Sequence, residues 1–128
     1  MKKITGLLRI IGALQLLLGL LYLFVPEWLL TSIGHSKPPA DLDYPFAMLA
    51  ARFIAYGVAF WVISSRPAQH RLWINNMIFI QSIDLMAGMY YTVADTVHLS
   101  LSGFPMFNAA WIIGLLLFWY PRSTEVRA

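Results

Sequence analysis

Apolar residues fill this chain in four long blocks, separated by short connections that hold most of its prolines, serines and charges. A helix needs about 20 apolar residues to cross roughly 30 Å of hydrocarbon, and each block meets that length. The blocks run over about Ile4–Val25, Tyr44–Ser64, Leu72–Ala94 and Leu101–Tyr120, with Glu27, Trp28 and Leu29 extending the first beyond Pro26. Ser102, Gly103 and Pro105 allow the fourth helix to start one turn later. Short connections make consecutive helices antiparallel neighbours. The pattern therefore predicts an all-α fold, a four-helix transmembrane bundle forming a single integral membrane domain over residues 1–128. The connection Ile33–Asp43, with Gly34, Pro38 and Pro39, is the longest and the expected mobile element.

Charge then orients the bundle. Lys2, Lys3 and Arg9 precede or open the first span, Arg66 and Arg71 join the second to the third, and Arg122 and Arg127 follow the fourth. Those seven of the nine basic residues fall on one side; the other side holds Lys37 with Glu27, Asp41, Asp43 and Asp95. By the positive-inside rule both termini face the cytoplasm. Trp28, Tyr44, Trp73, Tyr90, Tyr91, Trp119 and Tyr120 sit near span ends, where interfacial aromatic belts form. The opening MKK and its apolar run resemble a signal peptide, but the run is too long and no small-x-small cleavage site follows, so an uncleaved span is expected.

Composition agrees: 59% of residues are hydrophobic and 12% charged, against roughly 45–50% and 25% in soluble domains. The net charge of +3 comes from bases placed singly or in pairs around the spans, which excludes a nucleic-acid-binding patch. Cysteine is absent, which removes disulfides, thiolate metal sites and thiol redox chemistry.

Two ionisable residues lie inside apolar blocks, Arg52 and Asp84. A charge there costs roughly 2.5–3.5 kcal/mol on insertion scales and marks a function or a buried partner. At 1.5 Å per residue from the outer span ends, Arg52 lies about 12 Å deep and Asp84 about 15 Å. Asn108 and Gln15 come out at about 10 and 15 Å on the same count. Each span thus gives one polar side chain to a common level. The expected arrangement is an Arg52–Asp84 ion pair trimmed by Gln15, Asn108 and Gln81, with Tyr56 and Tyr91 lining the same interior. Gln81 is three residues before Asp84, on one helical face. Arginine suits the role because its planar fork binds a carboxylate bidentately and keeps its charge. Such a layer either fixes which helices pack together or lines a cavity for a polar head group, a quinone carbonyl or a proton path.

Other chemistry has little footing. His35 and His98 fall on the outer side and His70 on the inner, so the three cannot meet at one metal, and no histidine lies within a span to hold haem. No GxSxG, Ser-x-x-Lys or glycine-rich phosphate loop appears. The small-residue pairs Ala51–Ala55 and Ala110–Gly114, with Gly12 and Gly19, permit close helix approach, first of all within the bundle. Met77, Met86, Met89 and Met106 are read as gap-fillers or lipid-facing residues.

The opening RIIGALQLLLGLLYLFVPEWLL, the second-span AARFIAYGVAFWVIS with its arginine, and the closing span with its basic tail resemble small bacterial DoxX-like four-span membrane proteins. That resemblance implies a bacterial inner-membrane location and a quinone or redox partner. Three functions are therefore weighed. The first is a non-catalytic accessory or assembly subunit of a larger membrane complex, without a cofactor, contacting the lipid bilayer and other membrane subunits or its own copies. The second is a DoxX-like small subunit of a quinone-linked oxidoreductase, with Arg52, Asp84 and Tyr56 near the quinone. The third is a lipid or small-molecule binding protein using the polar layer.

Overall fold

Proline and glycine decide where the first helices stop. A computed structural model describes residues 2–121 and starts with helix α1, Lys2–Phe24, built largely from leucine and isoleucine. Pro26 has no N–H with which to continue it, and Val25 leaves helical geometry (φ −138°, ψ 53°). A short helix α2, Pro26–Ser32, restarts with proline in its first turn, where an N–H has no intrahelical partner anyway. The first block, expected as one helix reaching Leu29, is thus two. Helix α2 closes in a Schellman motif: the Gly34 N–H reaches Thr31 O (3.2 Å) and the His35 N–H reaches Leu30 O (2.9 Å). Gly34 sits at φ 102°, open to glycine at little strain.

A 3-10 turn, Ala40–Leu42, leads into α3, Asp43–Ile63. A second, Pro67–His70, leads into α4, Arg71–Val93. Another Schellman motif ends α4, with Asp95 N–H on Thr92 O (3.2 Å) and Thr96 N–H on Tyr91 O (3.0 Å). Here Asp95 holds the left-handed position (φ 60°) that Gly34 holds after α2. Helix α5, Leu99–Phe118, begins two residues before the expected Leu101, because His98 caps it: its Nδ1 accepts the Ser100 N–H at 3.2 Å. Pro105 falls in the second turn of α5 and does not delay its start.

The described residues are all-helical, with no strand. Helical segments long and apolar enough to cross a membrane are Lys3–Phe24, Ala40–Ile63 and Leu99–Phe118. The third predicted span differs. Helix α4 has 23 residues, about 35 Å of rise, but Asn75, Asn76, Gln81 and Asp84 hold its apolarity below that of the others. Arg122 and Arg127, which entered the orientation argument, lie outside the described residues.

Contacts divide the chain into two compact units, one of Leu8–Ser64 and one of Met1–Leu7 with Ser65–Ala128. In the Leu8–Ser64 unit, α1 and α3 run antiparallel. Arg9 Nε donates to Ser64 Oγ (3.1 Å), Gly12 faces Gly57 and Trp61, and Gly19 faces Ala50 and Ile54. Tyr22 stacks on Phe53 with ring centroids 5.6 Å apart. In the other unit α4 and α5 also run antiparallel. The Thr92 and Ser102 hydroxyls meet at 2.6 Å, Gly88 faces Met106, and Tyr120 Oη donates to Asn75 Oδ1 at 2.5 Å. In both pairs each step along one helix is matched by a step back along the other.

Candidate functional site

Of the six polar side chains expected at one level, three belong to each unit. Gln15 extends the buried stripe Ile4, Leu7, Leu8 and Ile11 along α1 and is itself only 3% exposed. Its Nε2 has no hydrogen-bond partner within its unit. A buried donor left unpaired costs about 1–3 kcal/mol, so this position calls for an acceptor. Arg52, on α3, is exposed, and its Nη1 donates to the carbonyl of Met48 one turn earlier (2.9 Å). Tyr56, one turn further along, is half-buried.

In the other unit Gln81 is buried on α4, its Nε2 3.3 Å from the sulfur of Met77. Asp84, three residues on, is exposed, and within its unit it has no hydrogen-bond or ion-pair partner. Asn108 is half-buried on α5, where its Oδ1 accepts the Trp111 indole N–H at 2.9 Å. The polar level is therefore not uniform around the helices. The amides Gln15 and Gln81 are buried, while Arg52 and Asp84, expected as an ion pair, have exposed side chains in different units.

The exposed face around Arg52 is specific in composition. Met48, Ala51, Arg52, Ala55, Val58 and Val62 lie along one side of α3, all exposed. Ala110 and Gly114 are likewise exposed on α5, and a methyl group at Gly114 would meet nothing within 4 Å. The small-residue pairs expected to pack inside the bundle instead face outward. Close packing within the Leu8–Ser64 unit comes from Gly12, Gly19 and Gly57.

A further feature was not read from the sequence. A groove of about 440 Å³ runs along α4 and α5, lined by Asn75, Ile78, Phe79, Ser82, Leu117 and Tyr120. Its α4 side is a stripe at helical spacing, with polar Asn75 and Ser82 two turns apart, and that spacing was the available signal. Tyr120, expected as a belt aromatic, donates its hydroxyl to Asn75 at one end of the groove.

Among the described residues no three His, Asp or Glu side chains converge as metal ligands. No family model, curated protein or solved structure matches this chain.

Proposed function

We propose that this chain is a polytopic protein of the bacterial inner membrane, with four spans and cytoplasmic termini, that serves as a non-catalytic accessory or assembly subunit by docking a partner helix along α3. The observation that carries this reading is Arg52, exposed on an apolar helix between exposed Ala51 and Ala55. In hydrocarbon a guanidinium with only a carbonyl of its own helix keeps most of its five donors unpaired. A neighbouring helix that brings a carboxylate or free carbonyl removes that penalty. The two alanines, one turn apart, let its backbone approach closely. Asp84 on α4 offers an acceptor for a second contact of opposite sign.

Purification in a gentle detergent followed by native mass spectrometry tests this reading. A stoichiometric complex with another membrane subunit, or with further copies of this chain, is expected, and Arg52→Leu should release the partner while helix content is retained. A bare single chain across several detergents sinks the subunit reading. A chain that instead carries one quinone and no protein partner replaces it with the quinone-linked alternative.

A further inference from the structure

The geometry points to the α4–α5 groove as a seat for an anionic phospholipid, its acyl chain against Ile78, Phe79 and Leu117 and its phosphate toward Arg71, Lys3 and Arg66. Two parts of the surface make the case together. The first is the groove, an open slot of about 440 Å³ on the surface of α4 and the end of α5. Its wall is mainly apolar, and it belongs in part to α5, one of the helices able to cross a membrane. From Asn75 to Ser82 it follows two turns of α4, about 10 Å of depth.

The second part is the charge at the Asn75–Tyr120 end. Arg71 precedes Asn75 by four residues and so stands one turn beyond it on the same side of α4. Lys3 Nζ lies 5.9 Å from the ring centre of Trp119, the neighbour of Tyr120. Arg66 caps the 3-10 turn that feeds α4. The carboxylates described in this unit are elsewhere: Asp84 lies beyond Ser82, and Asp95 sits past the opposite end of α4. Basic pockets between membrane helices at the cytoplasmic face recruit anionic head groups, and this one continues into an apolar slot. A free phosphate would use the cations and leave the slot idle. An amphiphile uses both.

This inference goes beyond the subunit reading and shares with it only the membrane setting. Its test takes the full chain in detergent with equal amounts of phosphatidylglycerol and phosphatidylcholine of the same acyl chains, and counts retained lipid by native mass spectrometry. The wild type should retain phosphatidylglycerol several-fold over phosphatidylcholine. A basic side chain near an anionic lipid contributes about 1 kcal/mol, so Arg71→Gln should cut the preference about fivefold, while Arg71→Lys keeps most of it. Ser82→Phe, which fills the groove, should lower retention of both lipids. Lys37→Gln removes one charge from the other unit and should leave the preference intact. The proposal is overturned by equal retention in the wild type, by an equal loss in Lys37→Gln, or by displacement with inorganic phosphate that Ser82→Phe does not affect. A chain that stays soluble without detergent defeats the membrane setting itself, and hence both readings. Lost preference in a chain that requires detergent defeats this inference alone.

Discussion

Gly57→Ala tests the close approach of α1 and α3. A methyl group at Gly57 would lie 2.6 Å from Leu16 Cγ and 2.8 Å from the carbonyl oxygen of Gly12. The leucine can turn away, but the carbonyl belongs to α1 itself. Carbon–oxygen contacts settle at about 3.3 Å or more, so the helices must part by roughly 0.5 Å. Overfilling a packed contact costs about 1–3 kcal/mol, against about 1 kcal/mol gained when alanine replaces glycine in a helix. The net expectation is a loss of about 1 kcal/mol. Gly114→Ala is the matched control, because open space surrounds that position and only the helix gain applies. Both variants should be unfolded by SDS in mixed micelles and followed by far-UV circular dichroism, with Gly57→Ala giving way at lower SDS. Adding Leu16→Ala should relieve part of the Gly57→Ala penalty and leave the part owed to the carbonyl. Equal midpoints for Gly57→Ala and Gly114→Ala, or complete rescue by Leu16→Ala, would refute the close backbone approach.

Three further outcomes are expected. Gly34→Ala puts a Cβ at φ 102° and should cost about 1–2 kcal/mol, read as earlier proteolysis within residues 33–43. Asp95→Gly should be neutral or stabilise by up to about 1 kcal/mol, whereas Asp95→Val, β-branched in the left-handed region, should destabilise; thermal unfolding of the pair fixes the order. Ser102→Ala breaks the hydroxyl contact to Thr92 and should cost about 0.6 kcal/mol, the average for such bonds between membrane helices, seen as faster amide exchange in the first turns of α5.

The helices were legible in the sequence because apolar blocks of about 20 residues mark their lengths and Pro, Gly and charge mark their ends. The break at Val25 was missed because Trp28 and Leu29 continue the apolar run, while Pro26 acts through its missing N–H rather than through hydropathy. Depth counting placed Gln15, Arg52, Asp84 and Asn108 along the helix axes but carried no information about rotation around them. Blocks that are apolar on every side have no polar stripe to supply it. This is why Gln81 and Asp84, three residues apart, emerged with opposite exposure, and why Ala51 and Ala55 turned outward. Gly57 was passed over because its role needs Gly12 and Leu16 from another helix to be visible. Arg9, read as an orientation signal, also ties α1 to Ser64 and lies over the Trp61 ring.

Two polar contacts of the α4–α5 hairpin sit at its opposite extremes, Thr92–Ser102 beside the connecting turn and Asn75–Tyr120 at the open tips. They act as a pair of clasps. Sliding one helix past the other by a turn, 5.4 Å, would undo both at once. Between them the hairpin behaves as a frame of fixed length that resists telescoping.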